Sequence, residues 1–238
     1  RECNKEYEGR CEVHGNTFAF KKKTIDMKHY FESVRKHLGL RTEEVPMVKG
    51  VKGTSNKEHN CENLTKGFLR AKYNLHVNKD GTIRYDMTEM PLTHFKPKEI
   101  GTGIEKLKEL GYERDIYGEE LKSDEQIVEI FPHDIILPAS PESKDEKADD
   151  VFLRVVNFVD DELEKIYGLN KFFNAKKKDE LIGQLFGCIA PHNCAAIVGR
   201  LIGFSKTQVF LASPYVHAGV RRDCDGDEIA VMLLMDML

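Results

Sequence analysis

The chain has no tryptophan, six cysteines and eight prolines in 238 residues. No apolar run approaches the ~20 residues that a membrane-crossing helix needs. The cysteines stand at 3, 11, 61, 188, 194 and 224, too sparse for a disulfide scaffold, so reduced cytosolic thiols are expected. There is no internal repeat and no low-complexity tract, which sets solenoids and disordered linkers aside. The start, "RECNKEYEGR", lacks an initiator Met and the apolar stretch of a signal peptide. The end, "MLLMDML", stops inside an apolar run. Both features lead to the expectation of an internal fragment, from a split or truncated protein, with further sequence beyond Leu238.

An excess of positive charge is missing too: the formal net charge is −4. The distribution is uneven. Residues 46–98 carry ten Lys/Arg against five Asp/Glu, and residues 105–165 carry eight against nineteen. A basic stretch beside an acidic one suits a phosphate-binding face backed by a solvated one, although ordinary surface variation gives the same pattern. Hydrophobic residues at 40% and charged residues at 32% are those of a globular protein large enough for real cores.

"TIDMKHYFESVRKHLG" (24–39) has helical spacing, with Thr24 as expected N-cap and Gly39 as stop. Residues 46–100 read as β-rich, and Lys79-Asp80-Gly81 predicts a hairpin turn. "GIEKLKELG" is a short helix, and "DEQIVEIFPHDIILP" holds one or two strands. The polar run 139–150 is a surface connection. The helix after it places Val151, Val155, Val159, Leu163 and Ile166 on one face. From Leu181 the chain is apolar and glycine-rich, with strands and small-residue turns expected.

The segment with most chemistry is "RRDCDGDEIAVML" (221–233). Asp225 and Asp227 flank Gly226, Asp223 precedes them, and Arg221 and Arg222 lead in. On a strand, carboxylates at i and i+2 share a face roughly 7 Å apart. On a glycine turn they can swing together onto one cation. Hard divalent ions take oxygen ligands and keep positions open for phosphates, and guanidinium groups beside them suit triphosphate. An EF-hand loop does not fit: counted from Asp223, Gly226 falls at position four instead of six, and position twelve lacks the glutamate. A plain acidic turn before a helix is the other reading.

The chain resembles, in order and over nearly its whole length, the large subunit of archaeal family D DNA polymerase. The similar segments are "VKGVKGTSN", "LTKGFLRAKY", "KDGTIRYDMTEMPLTHFKPKEIG", "LKELGYERDIYGEEL", "IAPHNCAAIVGRLIGF" and "SPYVHAGVRRDCDGDEIAVMLLMD". The resemblance implies an α+β fold with two double-psi β-barrels and intervening helices. The expected parts are a short degenerate zinc-ribbon-like segment at 1–20, a first barrel region at 21–138, a linker and helix at 139–182, and the start of a second barrel at 183–238, incomplete in this chain.

The resemblance also implies chemistry. Asp225 and Asp227 fall on the family's metal-binding acids, expected to hold two Mg²⁺ for nucleotidyl transfer to a primer 3′-OH. Lys49 and Lys52 fall on basic positions facing the site, and Lys66, Arg70 and Lys72 are further candidates beside Arg221 and Arg222 for phosphate or DNA. His217 and Asp223 are candidate site-lining groups. Cys3, Cys11 and His14 look like remains of a zinc module, with Glu6 where a fourth ligand is expected. The implied partners are primer-template DNA, deoxynucleotides, the rest of the large subunit, a small exonuclease subunit and a sliding clamp, with no membrane, in the cytoplasm at the nucleoid. Departures from the family pattern are Ser213 for His, Val220 for Lys, Asp223 for Asn and Ile229 for an acid. They motivate a rival, a non-catalytic barrel scaffold that binds DNA or a subunit. An RNA-synthesising enzyme is a second rival. Cys188, Cys194 and Cys224 read as small core residues, and His192 as a core histidine.

Overall fold

The computed structural model describes residues 9–16, 24–41, 48, 62–78, 80–191 and 193–237. A two-stranded hairpin, β1 (Arg10–Cys11) and β2 (Gly15–Asn16), comes first. Helix α1 (Met27–Leu38) is capped by Asp26, not Thr24: its Oδ1 accepts the His29 N–H at 3.0 Å. A cap must sit next to the first helical residue to reach that amide. Gly39 ends the helix at φ 67°, as its lack of a Cβ allows.

The stretch read as β-rich contains a helix instead, α2 (Leu64–Lys72). Asn63 caps it through the Thr65 N–H at 2.9 Å, and Phe68 and Leu69 bury its inner face. The turn at 79–81 forms in part: Asn78 N–H donates to Thr82 O and Gly81 N–H to Asn78 O, both at 3.0 Å. The residues before it form no strand, so no hairpin ladder follows.

Six strands close a barrel: β3 (Tyr85–Pro91), β6 (Asp134–Pro138), β7 (Leu185–Ile189), β8 (Ile197–Ser205), β9 (Val209–Ala212) and β10 (Glu228–Leu233). Their spatial order is β10-β3-β9-β6-β8-β7. The pairs β3/β9 and β6/β8 are parallel, and the others are antiparallel. This corrects the expected division. Strands from 21–138 and from 183–238 build one barrel together, and among the described residues there is no second. Nor is the barrel open at the end, because β10 pairs with both β3 and β7. Periodicity marks a strand, but not which distant strand its backbone groups find.

Alternate residues of β6 and β8 serve two cores, as the pleat requires. Ile135, Leu137 and Leu201 join Phe186, Phe210, Ile229 and Val231 in the main core. Ile136 and Ile202 face a second cluster with Phe95, Leu107, Tyr112, Leu121 and Ile130. That cluster belongs to a layer built from β4 (His94–Phe95), α3 (Pro97–Ile100), α4 (Ile104–Glu109) and β5 (Val128–Glu129). Gly203 permits its close approach: a Cβ there would stand 2.6 Å from Ile100 O. Helix α5 (Ala148–Lys165) packs against the main core through Val151, Phe152, Val155 and Val159, while Leu163 and Ile166 lie at its margin.

A single-turn 3₁₀ helix, Leu234–Met237, follows β10. Its Asp236 accepts the Ile83 N–H at 2.9 Å. Burial pushes the Asp236 carboxyl up to about 7, against the opposing pull of that N–H. A carboxyl raised this way stabilises the fold most below its unfolded value near 4, and the contribution is lost as pH rises through 7. Asp236→Asn keeps an acceptor and removes the titration. In urea melts the variant is therefore expected to gain on the parent between pH 5 and pH 8, by at most about 1.4 kcal/mol per pH unit. An unchanged difference at the two pH values would contradict the assignment.

Candidate active site

The acid loop, residues 220–227, joins α6 (Pro214–Gly219) to β10. Ser213 starts α6 by accepting the Tyr215 N–H at 3.2 Å and donates to Pro132 O at 3.2 Å. The loop then turns sharply, with positive φ at Arg221 (63°), Cys224 (68°) and Gly226 (95°). It leads into a strand, so the reading of an acidic turn before a helix does not hold. Asp223 and Asp225 are exposed and Asp227 is half-buried.

Both ends of the loop are anchored by backbone. Arg222 N–H donates to His217 O at 2.9 Å, and Glu89 N–H donates to Asp227 O at 2.9 Å. Arg222 donates through Nη1 to Asp227 Oδ2 at 2.8 Å and through Nη2 to Glu228 O at 2.9 Å. Arg221 is exposed. Burial, and next the negative charges of Glu89, Asp223 and Asp225, push the Cys224 thiol up. A raised thiol carries less of the thiolate that acts as nucleophile, which disfavours Cys224 as a reactive group. The same charges make the loop attractive to a cation. Its exposed donors are carboxylate oxygens on a glycine turn, which fits a hard divalent ion such as Mg²⁺.

The other candidates are placed differently. Arg70 is 2% exposed and bidentate to Glu62 at 2.5 Å, with Phe158 under its guanidinium. It is a structural cation, which corrects its expected role at phosphate. Lys66 pairs with Glu162 at 2.9 Å and Lys72 with Asp161 at 2.6 Å. Both bridge α2 to α5, so the basic count of this stretch is partly answered inside the protein. Lys49, Lys52, Cys3 and His192 lie outside the described residues. Cys11 Sγ and His14 Nδ1 stand 3.6 Å apart on the β1–β2 hairpin.

His217 is fully buried beneath the loop, where its ring meets the carboxylate of Glu89, also fully buried. Sequence reasoning missed Glu89. The signal was there: it lies in phase with buried Met87 on β3, between exposed Thr88 and Met90, an inward position where an acid is unusual. Three of the four departures that suggested lost activity have a packing account, while the fourth, Asp223, is exposed on the loop. Val220 and Ile229 are fully buried in the main core, and Ser213 caps α6.

The family described as "DNA polymerase II large subunit DP2, catalytic domain" matches residues 41–238. The DNA polymerase II large subunit of Nanoarchaeum equitans is 50% identical over 90% of this chain and 18% of the relative. That of Archaeoglobus fulgidus is 46% identical over 99% of this chain and 19% of the relative. That of Pyrococcus furiosus is 52% identical over 82% of this chain and 15% of the relative. The chain thus spans less than a fifth of the length of these relatives. With the match running through the barrel and the acid loop alike, the chain belongs to the family of the archaeal DNA polymerase II (family D) large subunit, in its catalytic domain.

Proposed function

We propose that this chain carries the catalytic acids of a DNA-directed DNA polymerase that adds deoxynucleotides to a primer 3′-OH. One observation carries the reading: Asp225 and Asp227 stand on an anchored glycine turn, beside two arginines, in a chain of this catalytic-domain family. Two Mg²⁺, when bound, would supply activation of the attacking hydroxyl and stabilisation of the leaving oxygens. Asp225 and Asp227 would hold them. Arg221, exposed, offers a guanidinium to phosphate oxygens, and Arg222 limits the negative charge at Asp227. Lys49 and Lys52 are assigned to phosphate on the family pattern, and Asp223 to a supplementary ligand at the rim.

The parallel pairs β3/β9 and β6/β8 within one closed barrel support its assignment as a double-psi barrel. The close Cys11 and His14 support a zinc site completed by other residues, Cys3 among them. The relatives are named large subunits, which favours a smaller subunit as partner. An exonuclease activity of that subunit, the rest of the large subunit, a sliding clamp and a place at the nucleoid in the cytoplasm are proposed on the family resemblance alone. Among the described residues no helix is long and apolar enough to cross a membrane.

Primer extension by the assembled polymerase tests the reading. Extension with deoxynucleotides and Mg²⁺ is expected, lost with a chelator, and with kcat/KM well above that for ribonucleotides. A preference for ribonucleotides would make it an RNA-synthesising enzyme. DNA binding without extension would make it a scaffold.

A further inference from the structure

The two residues that anchor the acid loop by backbone are also paired by side chain. Glu89 on β3 holds Asp227 O, and His217 on α6 holds the Arg222 N–H. Their side chains are each 0% exposed and in direct contact, His217 Nδ1 against a carboxylate oxygen of Glu89. The other ring nitrogen, Nε2, lies 3.2 Å from Met90 O, a bond it makes as donor. Phe210 of β9 packs edge-on against the ring at 5.9 Å between centroids, which fixes its plane. Cys224 completes the group: its Sγ, the ring nitrogen and the carboxylate oxygen lie within 4.8 Å of one another.

We propose that the Glu89–His217 pair is a positioning brace for the acid loop, holding the spacing between β3 and α6 that puts Asp225 and Asp227 in place to bind metal. The proposal rests on the assignment of those acids as metal ligands. Two physical points carry it. First, a buried ionic or strongly polar pair contributes little net stability, because desolvation offsets the attraction, and apolar residues of similar volume often serve as well. Stability alone does not account for an acid and an imidazole at the heart of this contact. Second, the loop holds two non-glycine residues, Arg221 and Cys224, at positive φ. Each costs on the order of 1–2 kcal/mol, and such conformations persist only where the surroundings over-determine them. The paired anchors supply that constraint, one at each end.

Binding of Mn²⁺, followed by electron paramagnetic resonance on the whole chain, tests the brace without requiring activity. Four proteins are compared: the parent, Glu89→Gln, the paired Glu89→Leu/His217→Leu, and Asp225→Asn/Asp227→Asn. Glutamine keeps the length of the side chain and can donate to a neutral imidazole, so it should bind Mn²⁺ within about twofold of the parent. The paired leucines should melt within a few degrees of the parent and bind Mn²⁺ about tenfold more weakly. Should that variant fail to fold, Glu89→Asp, which withdraws the carboxylate by one methylene, is expected to weaken Mn²⁺ with little change in melting. Parent-like affinity in folded Leu/Leu or Asp variants would overturn the brace. Parent-like affinity in the Asn/Asn variant would overturn the metal-site assignment itself, and the brace with it.

Discussion

Replacing Asp225 and Asp227 together by asparagine is expected to lower Mg²⁺-dependent primer extension by at least about 10³-fold, roughly 4 kcal/mol of transition-state stabilisation. The fold should survive. Asp225 is exposed, and the Asp227 side chain is 41% exposed with one ion pair, to Arg222. A pair that open to solvent contributes about 0–1 kcal/mol. The melting temperature is therefore expected to move by only a few degrees, and DNA binding to remain, because the arginines and lysines are untouched. Steady-state extension rates, thermal melts and a DNA-binding assay on the same preparations check this. Extension at the parental rate in a folded variant would move the chemistry away from this loop. Loss of extension together with loss of folding would show that the acids are structural.

The largest effect on stability is expected at Asp134, far from the acids in sequence. Its carboxylate is completely buried. It accepts Arg200 Nε at 2.8 Å and Nη2 at 2.9 Å, and the Tyr112 hydroxyl at 2.5 Å. Three elements of structure meet there: β6, β8 and the layer over residues 92–131. Burial first, and then the charge of Asp134, push the Tyr112 hydroxyl up, so it stays protonated and donates. Asp134→Ala removes the acceptor and leaves Arg200, whose side chain is 20% exposed, with only partial access to water. Breaking a buried pair from one side typically costs about 3–5 kcal/mol. For a chain of this size that is a fall in melting temperature of roughly 10 °C. Tyr112→Phe should cost less, about 1–2 kcal/mol, because Arg200 still neutralises the acid. A drop under about 3 °C for Asp134→Ala would mean that the network is dispensable.

The sequence by itself determined the family and singled out the candidate acids, and for a physical reason. Chemistry that needs two carboxylates on a glycine turn, next to guanidinium groups, must be written in adjacent residues. A run such as "RRDCDGDE" therefore carries its meaning locally. Local pattern also determined the existence and apolar face of the central helix by 3.6-residue spacing, although it begins at Ala148, inside the stretch read as a connection, and ends at Lys165. It determined as well the stop of α1 at Gly39, where only a residue without a Cβ turns without strain.

Tertiary structure alone decided three things. It joined strands from both halves of the chain into one barrel where two had been expected, because backbone pairing between distant strands leaves no mark on either one. It sorted the cations: Arg70, Lys66 and Lys72 look like phosphate ligands in a charge count, yet find Glu62, Glu162 and Asp161 when α2 meets its neighbours. And it brought Glu89 under His217, two residues on different elements whose pairing depends on where β3 and α6 cross. A sequence shows that an acid lies on the inward side of a strand. Only the packed molecule shows what stands opposite it.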